Sequence, residues 1–222
     1  MFSAWLIFLI IRLAHSITGD DSLKTFLQYL TYFYFLAVPL GIVRFVEKQG
    51  IVERFGLQPL RYLGLATLVV ADLYLVYLSG LLKWTSFTSV LIAPMTEEMF
   101  FRGYMLGEFR NDDTMDILRP ILYWLLTAAA FTLSHVFVYQ SLGNLFCVFL
   151  GGILVGLFYW VTKSILAPIG VHTAWNVFLE AKETSGFSIQ LSAAILAVLL
   201  VPVVTFIVES RMVKAMDKIK AK

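Results

Sequence analysis

A pair of adjacent carboxylates, Glu97 and Glu98, stands with Arg102 inside a long apolar segment of this 222-residue chain. Ionisable side chains inside a membrane helix cost several kcal/mol unless they are paired or hydrated, so such groups are rare and usually functional. Glu98 and Arg102 are four residues apart, and a helix would bring them onto one face as an ion pair. Glu97 would then point about 100° away, toward a different neighbour.

The composition explains why this segment is interpreted as a membrane helix. The chain is 59% hydrophobic and 14% charged, whereas about 25% charged residues is usual for a soluble domain. Apolar runs recur along its whole length, which predicts an all-α, polytopic integral membrane protein with a single domain, residues 1–222. The net charge of +2 and the lack of a basic patch argue against nucleic acid as a partner. The lone Cys147 excludes an intrachain disulfide and a Cys-rich metal site.

The apolar runs predict about eight transmembrane helices, at residues 2–17, 23–46, 60–82, 87–109, 120–139, 142–161, 166–181 and 189–208. Lysine and arginine are concentrated in the loops that would be inside if both termini are cytoplasmic. We therefore predict a multi-pass protein, of the cell membrane if the host is prokaryotic, with both termini in the cytoplasm. Gly152 and Gly156 are four apart, a spacing that lets a neighbouring helix approach closely. Most aromatic side chains are expected to face lipid or the membrane interfaces.

Polar residues also occur in two other predicted membrane helices. His135 lies in the fifth helix, and His172 and Asn176 share one face of the seventh because they are four residues apart. Polar groups in lipid must find one another or water. We therefore expect the helices to enclose a polar intramembrane cavity that these residues line together with the acidic pair.

The three polar sites have the order and spacing of a known signature. The chain resembles the CPBP intramembrane proteases, which include the CAAX prenyl endopeptidases and the bacterial Abi proteins, in the motifs Glu97-Glu98-x-x-x-Arg102, Phe131-x-x-x-His135 and His172-x-x-x-Asn176. The segment Phe55-Gly56-Leu57-Gln58 also resembles a recurrent feature of prokaryotic members. The resemblance covers about residues 55–178. It implies an endopeptidase that cuts a membrane-associated or prenylated peptide precursor, with the bilayer and that peptide or protein substrate as its partners.

The side chains themselves suggest how a peptide bond could be hydrolysed. A serine or cysteine nucleophile is disfavoured, because the chain has no Gly-x-Ser-x-Gly elbow and Cys147 has no evident base. A carboxylate in a low-dielectric cavity can act as a general base toward water, and Glu97 is the candidate. His135 can hold or polarise that water, and His172 and Asn176 can bind the developing oxyanion. Glu98 and Arg102 would fix the helix and the electric field around Glu97, and the resemblance implies similar roles.

Three other interpretations remain open at this point. Glu97, His135 and His172 could instead hold a divalent metal such as Zn²⁺ and leave one position for water. The chain lacks His-Glu-x-x-His, so a glutamate-activated water is preferred and no cofactor is firmly predicted. A non-catalytic membrane scaffold or bacteriocin-immunity protein is the first alternative to an enzyme. A proton-coupled transporter, with the acidic pair and histidines as a relay, is the second. The sequence identifies neither the physiological substrate nor the oligomeric state.

Overall fold

The computed structural model describes residues 2–57, 87–107, 118–139 and 141–185. Every regular element in these ranges is a helix, so the all-α prediction is confirmed. In chain order, α1 is Phe2–Ile17, α2 is Asp21–Gly41 with a π-helical continuation Ile42–Val46, and α3 is Ile51–Phe55. The helical segment α4 consists of π-helical Thr88–Ile92, α-helical Ala93–Glu98 and π-helical Met99–Leu106. Helices α5, α6 and α7 are Leu118–Ser134, Leu142–Thr162 and Leu166–Ser185.

Six of the predicted helices coincide with helices of the structure, whereas those at 60–82 and 189–208 lie outside the described residues. The predicted end of the fifth helix, near Tyr139, is wrong: α5 ends at Ser134. The Ser134 hydroxyl and the His135 ring nitrogen Nδ1 both form hydrogen bonds with the carbonyl oxygen of Phe131. The backbone N–H of His135 donates to the carbonyl oxygen of Thr132 instead of to that of Phe131. Side chains that compete in this way for backbone groups end a helix.

Within the described residues, two helices are long and apolar enough to cross a membrane. They are Asp21–Val46, with a mean hydropathy of 1.6, and Leu142–Trp160, with a mean hydropathy of 2.0. The apolar helices Ser3–Ile17 and Leu118–Ser134 are shorter. The count of eight transmembrane helices therefore stays a prediction.

The chain divides into two compact units, and the prediction of a single domain stays a prediction. The first unit comprises Met1–Gly56 and Met95–Ile165, and the second comprises Leu57–Pro94 and Leu166–Lys222. Within α4 the boundary lies between Pro94 and Met95.

The first unit has an aromatic core that joins four helices. Phe35 of α2 lies 4.4 Å from Phe8 of α1, measured between ring centroids, and 4.7 Å and 5.5 Å from Phe100 and Phe101 of α4. The Phe101 ring meets Phe131 of α5 edge to face at 5.2 Å, a favoured geometry for aromatic pairs. These rings are exceptions to the expectation that most aromatic side chains face lipid or the membrane interfaces, because four helices bring them into one interior.

The segment Phe55-Gly56 fixes α3 against α4 in the same unit. Phe55 is fully buried, and its ring occupies the space beside Gly103, where any Cβ atom would clash. Gly56 ends α3 with φ 73°, a left-handed conformation that favours glycine. The buried Arg54 donates to the carbonyl oxygen of Tyr104 at 3.1 Å. These contacts give the segment Phe55-Gly56 a role in packing α3 against α4.

Helices α5 and α6 approach each other closely at two glycines. A Cβ atom at Gly152 would lie 3.4 Å from Ala128, and one at Gly156 would lie 2.4 Å from Nε1 of Trp124. That indole nitrogen donates to the carbonyl oxygen of Ile153 at 3.1 Å. The predicted role of the small-residue spacing in helix packing is therefore confirmed.

The substitution Gly156→Ala should destabilise the protein, because the new methyl group must displace the Trp124 ring and its hydrogen bond. Overpacking of this kind costs about 1–3 kcal/mol. The measurement is thermal unfolding of the detergent-solubilised protein. Gly151→Ala is the matched control, because in the described part of the chain nothing would lie within 4 Å of a Cβ atom at Gly151. Adding Trp124→Leu should recover part of the loss. Equal melting temperatures for the two alanine variants would contradict this interpretation of the α5–α6 contact.

Candidate active site

The ion pair predicted from the spacing of Glu98 and Arg102 is present in the first unit. Nη1 of Arg102 lies 2.9 Å from Oε1 of Glu98, and both side chains are almost completely inaccessible to solvent. The other guanidinium nitrogen, Nη2, donates to the carbonyl oxygen of Gly152 at 3.0 Å. The guanidinium also lies over the Phe131 ring, 4.6 Å from its centroid. A buried arginine is tolerated only with such compensation, so these three contacts hold it in one position.

The two adjacent glutamates occupy different environments, as the helical geometry predicts. Glu98 is 0% exposed, whereas Glu97 retains partial access. The pair ends the α-helical part of α4, and the π-helical part begins at Met99. Short π-helical stretches are frequently found at functional sites. Of the two carboxylates, Glu97 is the one that a small molecule can approach.

His135 follows the end of α5 and has a defined tautomer. Its Nδ1 lies 2.8 Å from the carbonyl oxygen of Phe131, and a carbonyl can only accept a hydrogen bond. The neighbouring Ser134 hydroxyl also donates to that carbonyl, at 2.5 Å. Nδ1 must therefore carry a proton, and in the neutral imidazole Nε2 presents its lone pair. A histidine held in this way can accept a proton from water or bind a cation through Nε2.

The Phe131 ring connects the first two motifs. One of its neighbours is the Arg102 guanidinium, and another is the His135 imidazole at a centroid distance of 4.6 Å. The imidazole is also stacked with Tyr139 at 6.1 Å and 10°. Arg102 thus anchors the ring that packs against His135, so the first two motifs form one assembly within the first unit.

The third motif lies in α7, in the second unit. His172 and Asn176 are both partly accessible and are one helical turn apart. Nδ2 of Asn176 donates to the carbonyl oxygen of Ser89 at 3.0 Å, which fixes the orientation of the amide. The second hydrogen on Nδ2 remains a donor. The motif therefore supplies an oriented amide N–H beside a histidine.

No group of three or more histidine, cysteine, aspartate or glutamate side chains lies close enough together to hold an ion within the described ranges. A zinc site needs at least three such ligands. The alternative set Glu97, His135 and His172 stays a prediction, because His172 belongs to the second unit, and no reaction step is derived through a metal ion.

Two contributions to the site were missed by the sequence reasoning. The carbonyl oxygen of Gly152 accepts from Arg102, although the sequence indicated only helix packing at this glycine. The carbonyl oxygen of Ser89 orients Asn176. Both are main-chain groups, which carry no sequence signal.

Comparison with known proteins supplies one finding. The family model described as type II CAAX prenyl endopeptidase Rce1-like matches residues 79–178, somewhat less than half of the chain. The matched range contains all three motifs and excludes the segment Phe55–Gln58. It confirms the resemblance to the CPBP and CAAX proteases. No curated protein and no solved structure gives a significant match.

The substitution Arg102→Met should destabilise the protein severely, because it leaves the Glu98 carboxylate buried without its cation. Breaking a buried ion pair in this way costs about 3–5 kcal/mol. Adding Glu98→Leu removes the orphaned charge and should restore most of the stability. The measurement is thermal unfolding in detergent for the two single variants and the double variant.

The exposed pair Lys24–Asp21, at 3.4 Å, provides the control for that cycle. Its substitution Lys24→Met should cost less than about 1 kcal/mol, as exposed ion pairs do. A double variant as unstable as Arg102→Met would show that the contacts with Gly152 and Phe131, rather than the charge pair, carry the stability.

Proposed function

We propose that this chain is an intramembrane endopeptidase, because residues 79–178 match the family model described as type II CAAX prenyl endopeptidase Rce1-like. It hydrolyses a peptide bond of a membrane-associated or prenylated peptide precursor with a water activated by a glutamate. The observation that carries the proposal is the match over all three motifs. The family match does not favour a scaffold, an immunity protein or a transporter. We also propose a multi-pass topology with both termini in the cytoplasm.

Glu97 is proposed as the general base that removes a proton from the attacking water. Its partial exposure supports this role, because the base must reach a water molecule while it remains inside an apolar protein. The ion pair of Glu98 with Arg102 supports it as well. Arg102 already has a direct ion-pair partner in Glu98, at 2.9 Å.

His135 is proposed as the group that orients the same water. With Nδ1 engaged by the Phe131 carbonyl, Nε2 can accept a hydrogen bond from water and leave an oxygen lone pair for attack. The hydrogen bond and the stacked Tyr139 ring fix the imidazole plane. Proton transfer to the leaving amine completes the cycle, and Glu97 can return the proton that it accepted.

His172 and Asn176 are proposed as the donors to the oxyanion. The tetrahedral intermediate places a negative charge on the former carbonyl oxygen, and donors oriented in advance stabilise it more than they stabilise the substrate. The hydrogen bond from Asn176 to the Ser89 carbonyl supports this role, because it orients the amide before any substrate binds. Removal of one such donor costs about 10²–10³ in kcat in other hydrolases.

The substitution Glu97→Gln should lower the cleavage rate of a membrane-inserted peptide by about 10²–10⁴-fold, the range for loss of a general base. The glutamine has the same shape and is partly exposed, so the melting temperature should change little. Cleavage is measured by mass spectrometry of products in proteoliposomes. Unchanged cleavage by a correctly inserted variant would overturn the assignment of the base.

The matched control is Cys147→Ser in α6, which removes the one thiol in the chain. Cys147 is exposed and has no role in the proposed chemistry, so cleavage should be unaffected. A loss comparable to that of Glu97→Gln would instead indicate a cysteine nucleophile.

Exhaustive chelation should leave the activity intact, because a carboxylate base needs no metal to activate water. The purified protein is dialysed against a strong chelator, its metal content is measured by elemental analysis, and cleavage is assayed before and after. Loss of activity that stoichiometric Zn²⁺ restores would establish a metal-dependent mechanism.

A further inference from the structure

Two lysines of the first unit have a backbone conformation that lysine rarely adopts. Lys48, just beyond the end of α2, has φ 56°, and Lys163, which follows the last residue of α6, has φ 55°. In the described part of the chain, no other residue except glycine has a positive φ. A side chain is strained there, and glycine ends a helix in this conformation at lower cost, as Gly56 does at α3. The chain therefore has a cation at two positions where the backbone favours glycine.

The two lysines lie at the same end of the first unit, because the segments that carry them both contact α3. Next to the first lysine, Oε2 of Glu47 lies 3.5 Å from Nε of Arg54. Two residues after the second lysine, the backbone N–H of Ile165 donates to the carbonyl oxygen of Phe55 at 3.1 Å. Arg54 and Phe55 are the last two residues of α3. The ends of α2 and α6 are thus joined through one helical turn.

Cationic and apolar side chains alternate on the surface at this end. Arg44 and Lys48 are exposed, and between them Phe45 and Val46 are 79% and 73% exposed. In α3, Val52 is exposed as well. Apolar side chains next to cations are typical of segments at a membrane–water interface, where the apolar groups enter the acyl region and the cations reach the headgroups. This surface therefore fits the headgroup level of a bilayer.

The Lys163 ammonium group is held in place by a neighbouring indole. Its Nζ lies over the Trp160 ring, 4.5 Å from the ring centroid, and both side chains are partly exposed. Tryptophan is enriched at membrane interfaces. The cation–π contact fixes the direction of the ammonium group, while the charge itself is kept. An oriented cation at the headgroup level is suited to a phosphate group.

Two carboxylates belong to the same surface. Glu47 lies opposite Arg54, so these two charges compensate each other. Glu53 is exposed, and its Oε2 would lie 4.0 Å from a Cβ atom at Gly50, at the start of α3, where a carboxylate interacts favourably with the helix terminus. The segments 42–56 and 160–165 thus retain an excess of positive charge, which comes from Arg44, Lys48 and Lys163.

We propose that Lys48 and Lys163, together with Arg44, bind the phosphate groups of anionic phospholipids at this end of the first unit. Under the proposed topology this end meets the cytoplasmic leaflet, whose surface is negatively charged. The charge-assisted hydrogen bonds of the two ammonium groups offset the backbone strain. In a zwitterionic lipid the choline group already compensates the phosphate, so the site selects lipids with a net negative headgroup. This inference goes beyond the proposed function and does not depend on peptidase activity.

The experiment titrates the full-length protein in neutral detergent with phosphatidylglycerol or with phosphatidylcholine of identical acyl chains, and native mass spectrometry counts the bound lipids. The Kd of the first phosphatidylglycerol should be about 10- to 100-fold lower than that of phosphatidylcholine, the range for a charge-assisted hydrogen bond. The double variant Lys48→Gly/Lys163→Gly should bind the two lipids equally. The matched control Lys24→Gln, which removes an exposed lysine near the start of α2, should retain the preference.

Equal affinities of the wild-type protein for the two lipids would overturn the proposal. An undiminished preference in the double variant would overturn it as well, since the lysines would then serve only to end their helices, where a cation also interacts favourably with the carbonyl groups. A loss of preference in Lys24→Gln as large as that in the double variant would show that net charge, rather than this site, attracts the lipid.

Thermal unfolding supplies a readout that distinguishes lipid binding from support of the fold. Because Lys48→Gly relieves the left-handed strain, this variant should be at least as stable as the wild type in neutral detergent. Phosphatidylglycerol should raise the melting temperature of the wild type more than that of the variant, because a ligand stabilises the folded state that binds it. An equal rise for both proteins would contradict the assignment of Lys48.

A soluble competitor identifies the source of the phosphate. Glycerol 3-phosphate carries the same charged group without acyl chains, and an excess of it should not displace phosphatidylglycerol, because Phe45 and Val46 contribute contacts that only a lipid can make. Displacement at concentrations comparable to those of the lipid would show a site for soluble phosphates and would overturn the assignment to a phospholipid.

Discussion

The guanidinium of Arg102 must be compensated inside an apolar protein, and much of the first unit follows from that requirement. One contact goes to Glu98 on its own helix, one to the Gly152 backbone in α6, and one to the Phe131 ring in α5. Each comes from a different helix, so the buried charge fixes how α4, α5 and α6 meet. Since a buried pair often contributes little net stability, we interpret this arrangement chiefly as a positioning device.

The same arrangement links positions that are distant in the sequence. Phe131 contacts both Arg102 and His135, and its carbonyl oxygen receives the Nδ1 proton of that histidine. One residue therefore transmits the position of α4 to the imidazole through its ring and sets the tautomer through its backbone. The hydrogen bonds that select the tautomer also end α5, so the helix terminus and the tautomer of His135 have a common cause.

The features that could be predicted from the sequence are those that depend on the type and spacing of side chains. The Glu98–Arg102 pair followed from a spacing of four residues, and the glycines of α6 followed from the space that neighbouring helices need. What it missed depends on main-chain groups and distant contacts. The carbonyls of Gly152 and Ser89 leave no trace in the residue types. The burial of Phe35 and Phe100 was missed because apolar composition in a membrane helix does not distinguish lipid from the protein interior.

Two arginines of the first unit differ in the kind of partner that they take. Arg102 contacts the Glu98 carboxylate directly, whereas Nη1 of Arg12 donates to the neutral amide oxygen of Gln28 at 3.2 Å. The guanidinium of Arg102 is almost completely inaccessible to solvent, whereas Arg12 is half-buried. A cation that is removed from solvent needs an anionic partner, and a half-buried one keeps part of its hydration, so the burial of each arginine decides the kind of partner that it requires.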